Sequence, residues 1–377
     1  MSDLEEYRKE IDDIDRQLVE LYERRMAVSE KVAAYKIGTG KRVLDPERER
    51  QKLASVEALT HNSFNRHGVK ELFEQIMAMS RKKQYQLIAE SGSMNRLPFI
   101  PVDSLTGNGP YRVVYQGARG SYSEAAMKKY FGADVSNFAV ETFRDAMTAI
   151  EEGTADYAVL PIENSTAGTV TQTYDLLSEY ENYIVGEQII PIRHCLMSVE
   201  GAAISTIRTV YSHAQSLMQS ARFLADHPAW QQVSMLNNAF AAQKVAEDGN
   251  PSEAVIASEY AAKAYGLSIL AEGINQSSTN STRFIICTNQ KIFLRNARKI
   301  SITFEVKHES GSLYHALSHF IYNDLNMNRL ESRPIEGRNW EYRFFVDFDG
   351  NLSESGVRNA LRGLREETMN MKILGNY

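Results

Sequence analysis

Hydrophobic residues at the start of the chain recur at alternating spacings of three and four positions. The series consists of Leu4, Tyr7, Ile11, Ile14, Leu18, Leu21, Val28, Val32 and Tyr35. This spacing predicts one helix from residue 4 to about residue 36, roughly 50 Å long, with an apolar seam suited to pairing with another helix. The helix is expected to end at Gly38 and Gly40. A second helix is predicted to begin with Asp45 as N-cap and Pro46 as first residue, and a third covers about 69–88.

One position of this seam is charged. The series predicts an apolar residue at position 25, where the chain has Arg25, and a buried guanidinium is costly unless it is paired. Two interpretations follow: Arg25 reaches solvent or fixes the register of paired helices, or it lines a cationic pocket for a small polyanion together with Lys36. Arg8 lies 17 residues before Arg25, roughly 25 Å away along a helix. Arg8 can therefore face the same small ligand only from a second protomer.

From residue 111 to about residue 293, short apolar runs alternate with helical patterns, which predicts an α/β region. Strands are predicted at 111–115, 156–162, 209–212 and 253–256. Ser121 and Glu124 form a capping-box pattern, which alone explains both residues, although a glycine-rich loop that opens a helix also offers free N–H groups to an anion. Three further segments, predicted as loops at strand ends, carry polar clusters at 161–168, 211–215 and 280–284.

The last segment has a different order of elements. Strands are predicted at 300–306, 327–335, 342–347 and 371–374, and helices at 313–323 and 355–368. This βαββαβ order is typical of a ferredoxin-like α+β domain.

Composition separates the helical segment from the rest of the chain. Only three of the 22 glycines and one of the nine prolines precede residue 91. Lys plus Arg and Asp plus Glu balance at 17 each in residues 1–90, so the net charge of −6 belongs to the remaining chain. We therefore predict domains at 1–90, 111–293 and 299–377, with residues 91–110 as a linker.

Composition also excludes several classes of protein. The negative net charge argues against a nucleic-acid groove, and no apolar run approaches the ~18 residues of a membrane span. Two cysteines, Cys195 and Cys287, cannot form a disulfide framework, and the acidic start lacks the apolar core of a signal peptide. We expect a cytoplasmic protein that binds neither nucleic acid nor membrane.

The helical segment resembles the AroQ-type chorismate mutases, which are all-helical intertwined dimers. That family has an arginine near the start of helix one, an arginine and a lysine further along it, Asp-x-x-Arg-Glu on helix two and Ser-x-x-x-Gln on helix three. The matching residues here are Arg8, Arg25, Lys36, Asp45, Arg48, Glu49, Ser80 and Gln84. Every spacing fits over about 85 residues, which favours the cationic pocket for Arg25.

The resemblance implies conversion of chorismate to prephenate, a rearrangement of a dianion. Such a reaction needs a compact conformer and stabilisation of charge on the breaking ether oxygen, without nucleophile or proton transfer. By resemblance, Lys36 and Gln84 donate to the ether oxygen as the catalytic pair. Arg25 and Arg8 of a second protomer hold the carboxylates, which implies a homodimer or a higher homo-oligomer. Glu49 and Asp45 accept from the ring hydroxyl, and Arg48 and Ser80 complete the frame of the site.

The middle segment resembles prephenate dehydratase over residues 111 to about 293. That family has the motifs G-x-x-G-[ST]-[FY]-S, P-x-E-N-[ST]-x-x-G, S-H-P-Q and T-R-F, matched here at 117–123, 161–168, 212–215 and 282–284. One departure is Ala214 in place of the usual proline. The implied fold is a two-lobed α/β structure, similar to a type II periplasmic binding protein, with the site in its cleft.

The implied second reaction removes water and CO2 from prephenate to give phenylpyruvate. The enzyme has to hold two carboxylates and assist the departure of the ring hydroxyl, and Thr282 is the first candidate for that assistance. Arg283 is either a carboxylate anchor or a member of a structural ion pair, and Glu163 has a structural alternative too. Further candidate substrate contacts are Ser121, Asn164, Ser165, Thr166 and Gln215.

The last segment resembles the ACT domains of phenylalanine-regulated dehydratases. The residues that carry this resemblance are Gly311, Ser312 and Leu313, and the run Glu331, Ser332, Arg333 and Pro334. It implies that L-phenylalanine binds between two such domains and inhibits the dehydratase. The alternative for the second run is a turn at a strand end with an exposed ion pair.

The main alternative to an enzyme is a regulator that binds a ligand without chemistry. Lys36, Gln84 and Thr282 disfavour it, since binding alone does not require these donors. The absence of a Gly-x-Gly-x-x-Gly motif from the sequence disfavours an NAD-dependent prephenate dehydrogenase. His315 and His319 share a helix face but have no evident third zinc ligand. We therefore expect neither a cofactor nor a metal.

Overall fold

A computed structural model describes residues 3–91, 97–105 and 110–377. Its helices are α1 (Asp3–Thr39), α2 (Pro46–Glu57), α3 (Ser63–Glu90), α4 (Tyr122–Phe131), α5 (Phe143–Glu151), α6 (Thr171–Glu179), α7 (Ala214–Gln219), α8 (Ala221–Ala225), α9 (Asn238–Asp248), α10 (Glu259–Tyr265), α11 (Ser312–Ile321) and α12 (Ser355–Glu367). Its strands are β1 (Ile100–Val102), β2 (Arg112–Gln116), β3 (Ser136–Val140), β4 (Tyr157–Asn164), β5 (Gly168–Thr169), β6 (Tyr183–Pro191), β7 (His194–Ser198), β8 (Thr209–His213), β9 (Gln231–Met235), β10 (Glu253–Ser258), β11 (Ser268–Ala271), β12 (Ser281–Thr288), β13 (Ile292–Leu294), β14 (Lys299–Glu305), β15 (Met327–Pro334), β16 (Tyr342–Asp349) and β17 (Met369–Asn376).

The chain divides into two compact units. The first comprises Met1–Phe99 and Arg298–Lys372, and the second comprises Ile100–Ala297 and Ile373–Tyr377. The predicted three domains differ from this division, because α12 packs against α3 and joins the first and last segments in one unit. Within the predicted linker, residues 92–96 and 106–109 lie outside the described residues, and residues 100–102 form β1, which pairs in parallel with β13.

Three helices form the first part of unit one. The helix α2 begins as predicted, because Oδ1 of Asp45 accepts a hydrogen bond from the Arg48 N–H at 3.1 Å and Pro46 follows the cap. The helix α3 begins at Ser63 rather than near residue 69. Its earlier start has a local cause, since the side chain of Asn62 accepts from the Asn65 N–H at 2.8 Å and caps the helix.

The apolar seam in the first half of α1 stays exposed within a single chain. Its members Leu4, Tyr7, Ile11, Ile14, Leu18 and Leu21 each leave at least 50% of their surface accessible. Further along, Ser29 and Ala33 are buried, and Val43, Tyr85 and Ile88 form a small core that Ile37 packs against. The second half of α1 therefore buries one face within the chain, but its seam residues Val28, Val32 and Tyr35 remain exposed, as do those of the first half.

The last segment completes unit one with the predicted βαββαβ order of elements. Its strands lie in the order β15, β16, β14, β17, and β16 is antiparallel to both β14 and β15. The helices α11 and α12 pack on each other, and α12 also packs on α3 of the helical segment.

Unit two contains two large sheets besides the pair of β1 and β13. One has the order β6, β12, β4, β2, β3, and the other has the order β11, β7, β10, β8, β9. In each sheet parallel and antiparallel pairs are mixed: β2 is parallel to β4, whereas β12 is antiparallel to β4 and β6. Each sheet has apolar side chains packed beneath its helices, which agrees with the predicted two-lobed α/β architecture.

All three segments predicted as polar loops are partly strand, which corrects that prediction. The strand β4 continues to Asn164, and β12 begins at Ser281, so that Thr282 pairs with Asn164 in antiparallel register. Their backbone groups find partners in a strand more than 100 residues away, and a local sequence pattern does not contain that information.

Among the described residues, none of the helices combines the length and the apolar character needed to cross a bilayer.

Candidate active sites

A cavity of about 360 Å³ lies among α1, α2 and α3. It is lined by Arg25, Val28, Ser29, Val32, Lys36, Val43, Asp45, Arg48, Glu49, Lys52, Met77, Ser80, Arg81 and Gln84. Seven of the eight residues predicted for a mutase site are among them. Cations outnumber carboxylates by five to two in this lining, so the cavity suits a small anion.

Arg25 is oriented from α3. Its Nη1 donates to Oγ of Ser80 at 2.5 Å and lies 3.4 Å from the carbonyl oxygen of Ile76. One turn further along α3, Nε2 of Gln84 donates to the Ser80 carbonyl at 3.2 Å. Burial lowers the pKa of Arg25, but a guanidinium stays charged at any physiological pH. The seam position that broke the hydrophobic series is thus a charge directed into the cavity.

Lys36 lies at the other end of the cavity. Its Nζ donates to the Val43 carbonyl at 2.6 Å. Burial lowers the pKa of Lys36, against the opposing charges of Asp45, Glu49 and Glu366. Of the three N–H bonds on the ammonium group, the hydrogen bond to Val43 uses one and leaves others for a ligand.

Glu49 is held by a residue to which the sequence prediction gave no role. Nη1 of Arg81 donates to both carboxylate oxygens of Glu49, at 2.6 and 2.7 Å. Arg81 stands between Ser80 and Gln84 in the third-helix motif, in a position that the family pattern leaves open. Arg8 is the one predicted residue that does not line the cavity, and it is exposed on α1.

The dehydratase candidates gather where β4 and β12 pair. Nδ2 of Asn164 donates to Oγ1 of Thr282 at 2.9 Å and to Oδ1 of Asn280 at 2.9 Å. Its Oδ1 accepts from the N–H and the hydroxyl of Thr166 and from the Ala167 N–H, at 2.8 to 3.1 Å. One amide side chain therefore fixes both Thr282, which is 9% exposed, and the turn that follows β4.

A chain of polar contacts extends from Thr166 to the second sheet. Nε2 of Gln219 donates to Oγ1 of Thr166 at 2.9 Å, and Oε1 of Gln219 lies 2.9 Å from Nε2 of His194. The hydroxyl of Tyr122 donates to the Arg193 carbonyl at 2.9 Å and lies 3.4 Å from Nδ1 of His194. Burial lowers the pKa of His194, against the hydrogen bond to Gln219, so the ring is neutral at pH 7.

Sequence reasoning missed three residues that take part in these polar contacts: Gln219, His194 and Tyr122. A signal for Gln219 was available, since it lies four residues after the predicted Gln215 on α7 and so shares its face. Tyr122 also stood within the predicted glycine-loop motif. His194 had no such signal, because it lies outside every motif.

The remaining predicted contacts lie near these elements. Ser121 caps α4, with its Oγ accepting from the Glu124 N–H at 3.2 Å, whereas the Glu124 carboxylate accepts from the Gly120 N–H. Oγ of Ser165 accepts from the Ser281 N–H at 3.0 Å and so ties the turn after β4 to β12. Gln215 is half-buried in the first turn of α7.

Arg283 lies on the opposite face of the sheet from Thr282, because successive residues of a strand point to opposite faces. Its guanidinium lies 3.2 Å from Glu163 and 3.4 Å from Glu187. The geometry favours the structural ion pair over the carboxylate anchor, and it removes Arg283 from the Thr282 cluster. The same geometry favours the structural alternative for Glu163, which is one of the two carboxylates beside Arg283.

The predicted effector residues fall into two groups. Ser312 and Leu313 line a cavity of about 170 Å³ together with residues of the β14–α11 loop and of β16. Gly311 precedes α11 with φ at +81°, in the left-handed region that favours glycine. Glu331, Ser332, Arg333 and Pro334 lie in β15, with alternate side chains exposed, so this run is strand rather than a strand-end turn.

Comparison with known proteins identifies both modules. Residues 7–85 match the family chorismate mutase type II, and residues 113–292 match the family prephenate dehydratase. The chain is 32% identical to the bifunctional chorismate mutase/prephenate dehydratase of Aquifex aeolicus, over 100% of this chain and 98% of that protein. The chain belongs to this bifunctional family. It is likewise 32% identical to the corresponding protein of Escherichia coli K12, over 98% of this chain and 95% of that one.

The chain therefore combines a chorismate mutase module, an isomerase, with a prephenate dehydratase module, a lyase, and this favours an enzyme over a non-catalytic regulator. A solved relative covers the second activity. The prephenate dehydratase of Arthrobacter aurescens, determined in complex with L-Phe, is 30% identical with a TM-score of 0.66, over 71% of this chain and 89% of that chain.

Proposed function

We propose that chorismate binds as a dianion in the cavity among α1, α2 and α3, with Lys36 and Gln84 as donors to the breaking ether oxygen. The supporting observation is that Arg25 and Lys36 of α1 line one cavity together with Gln84 of α3. Lys36 and Gln84 each use a donor on a backbone carbonyl and keep further N–H bonds for a ligand. These donors stabilise the oxygen as negative charge develops on it in the transition state.

The other lining residues complete the binding of chorismate. Arg25 pairs with one carboxylate, and Ser80 holds the guanidinium in place through its hydrogen bond. Glu49 and Asp45 accept from the ring hydroxyl, and Arg48 closes the frame at the start of α2.

A second copy of the chain supplies Arg8 for the other carboxylate. The exposed apolar residues of α1 between Leu4 and Leu21 support a homodimer or a higher homo-oligomer, since pairing of helices would remove this surface from water. Arg8 lies within the same stretch of α1 and would reach the partner cavity from there.

For the second reaction, Thr282 assists the departure of the ring hydroxyl of prephenate. The bond from the ring to its carboxylate carbon breaks and releases CO2, the electron pair forms the new ring double bond, and the hydroxyl leaves as water after taking a proton. Asn164 donates to Oγ1 of Thr282, so the Thr282 proton is directed elsewhere and can be donated to the leaving oxygen. Ser121, Ser165, Thr166 and Gln215 are the proposed substrate contacts around it.

The last segment acts as an ACT domain that binds L-phenylalanine and inhibits the dehydratase. The cavity at Ser312 and Leu313 supports this role, as does the L-Phe complex of the Arthrobacter relative. Gly311 and the run Glu331, Ser332, Arg333 and Pro334 are the other proposed effector contacts.

The division of labour can be tested with one substitution in each module. Lys36→Ala is expected to lower mutase turnover by at least about 100-fold and to leave dehydratase turnover unchanged, because the sites lie in separate units. Thr282→Ala is expected to lower dehydratase turnover and to leave mutase turnover unchanged. Both activities are measured on the same purified full chain, from chorismate disappearance and from phenylpyruvate formation with prephenate supplied.

Matched variants show whether the loss is specific. Lys31→Ala removes an exposed lysine of α1 outside the cavity and should leave both activities intact, and Thr282→Ser should retain part of the dehydratase activity because it keeps the hydroxyl. Equal loss of both activities in Lys36→Ala would contradict the proposed division.

A further inference from the structure

Arg81 contacts carboxylates from two distant segments of unit one. Its Nη1 donates to both oxygens of Glu49, at 2.6 and 2.7 Å, and its Nη2 lies 2.8 Å from Oε1 of Glu367 on α12. The Arg81 side chain is only 9% exposed. A single planar guanidinium, which suits two simultaneous carboxylate contacts, thus connects the mutase cavity to the C-terminal segment.

Glu367 is itself held by the C-terminal segment. Its Oε2 lies 3.0 Å from Nε2 of His319 on α11, and both side chains are nearly buried. Burial raises the pKa of Glu367, but the hydrogen bond from His319 and the charge of Arg81 outweigh it and lower that pKa. The carboxylate therefore remains ionised beside Arg81.

A second contact anchors α12 to the mutase helices. The Tyr85 hydroxyl donates to Oε2 of Glu366, and the same oxygen accepts from the Leu44 N–H at 3.3 Å. Two consecutive carboxylates at the end of α12 therefore bind side-chain and backbone donors of α3 and of the segment before α2.

The Arg81–Glu49 pair also separates two cavities. A second cavity of about 530 Å³ lies between the mutase helices and the C-terminal segment. Glu49, Met77 and Arg81 line both this cavity and the mutase cavity. The second cavity also reaches Ser312 of the proposed effector loop. The pair is thus a shared wall between the mutase site and the C-terminal segment.

We propose that Arg81 is a positioning residue of the mutase reaction, and that Glu367 holds it in place, so that α12 completes the mutase site. The proposal rests on the proposed role of Glu49 at the ring hydroxyl. The charge of Glu49 already acts on both Lys36 and Arg25. Without Arg81, the Glu49 carboxylate would be free to pair with Lys36 and would hold its ammonium group away from the breaking ether oxygen.

The test measures mutase kcat and the KM for chorismate in variants of the full chain. Arg81→Met is expected to lower kcat about tenfold to a hundredfold with a smaller change in KM, because the cations that hold the carboxylates remain. Glu367→Gln keeps the shape of the side chain and removes its charge. It should also lower kcat, by a smaller factor than Arg81→Met. The double variant Arg81→Met with Glu49→Gln should have a kcat only a little lower than that of either single variant, since both changes act through one carboxylate.

The control is Lys83→Met on the same helix, whose ion pair with Glu30 at 3.1 Å is partly exposed and lies outside both cavities. It should leave kcat unchanged, and the helical circular dichroism signal of each sample reports whether the helices of unit one are folded. Wild-type mutase kcat in Arg81→Met, or additive losses in the double variant, would overturn the proposal. If Arg81→Met does not fold, an unchanged kcat in Glu367→Gln overturns it instead. Wild-type activity in Glu49→Gln would overturn the proposed role of Glu49 itself, a separate outcome.

Discussion

Lys36 shows how a single charge makes the mutase site depend on pH. The ammonium group can donate to an ether oxygen only while it is protonated, and burial lowers its pKa from the ordinary value for lysine. Asp45, Glu49 and Glu366 act in the opposite direction without reversing the shift. Protonation of Lys36 is thus lost at a lower pH than in a solvated lysine.

Mutase kcat/KM is therefore expected to fall as the pH rises through this lowered pKa. Lys36→Arg should move the alkaline limb to higher pH, since arginine stays charged, although the different shape of the guanidinium lowers the maximum. The measurement is mutase kcat/KM between pH 6 and about pH 10.5 for both proteins, because this ratio reports the groups of the free enzyme. If the alkaline limb lies at the same pH in Lys36→Arg as in the unsubstituted protein, a group other than Lys36 causes it.

At the scale of elements, several residues serve both a helix and a site. Asp45 caps α2 with its side chain and also lines the mutase cavity. Gly311 precedes α11 in a left-handed conformation and belongs to the proposed effector loop. In both places the end of a helix fixes the position of a proposed ligand contact, so stability and function can be separated only by paired substitutions.

Asp45→Asn keeps a capping oxygen and removes the charge, whereas Asp45→Ala removes both. We expect Asp45→Ala to destabilise the first turn of α2 by about 1 kcal/mol and Asp45→Asn to leave it nearly unchanged. Hydrogen exchange of the α2 amides measures this difference. Equal protection in the two variants would show that the cap does not stabilise the helix.

Gly311→Val is expected to raise the concentration of L-phenylalanine that half-inhibits the dehydratase. Its φ of +81° disfavours a side chain, and a Cβ there would lie 3.3 Å from His315. Gly337→Val is the control, since Gly337 has a similar φ of +76° but open space around it and lies outside the effector cavity. A similar loss of inhibition in both variants would assign the effect to general strain in the segment.

The elements also show what could be predicted from sequence. The start of α2 and the order of the last six elements were predicted correctly, because caps and hydrophobic periodicity act over a few residues. The hydrogen bond between Asn164 and Thr282 joins residues 118 apart, so their motifs could be recognised but not their pairing. Arg81 was missed for the same reason, since only its distant partners Glu49 and Glu367 give it a role.

For the whole molecule, the net charge of −6 does not describe the sites. Both substrates are anions. Although the chain as a whole is negative, the lining of the mutase cavity has five cations and two carboxylates. The two candidate active sites belong to different compact units, so each can be inactivated separately, as the paired substitutions at Lys36 and Thr282 are expected to show. The local arrangement of charge therefore decides what each site binds.

The joining of the first and last segments in one unit has a consequence for how the protein is made. Tyr85 and Glu366 are hydrogen-bonded across 281 residues of sequence. At about 5–20 residues per second, a ribosome takes roughly a quarter of a minute to one minute to synthesise that interval. During that time the nascent mutase helices lack α12, and Arg81 has Glu49 without Glu367. Unit one can reach its final form only after α12 has been synthesised, by which time the dehydratase segment has been made as well.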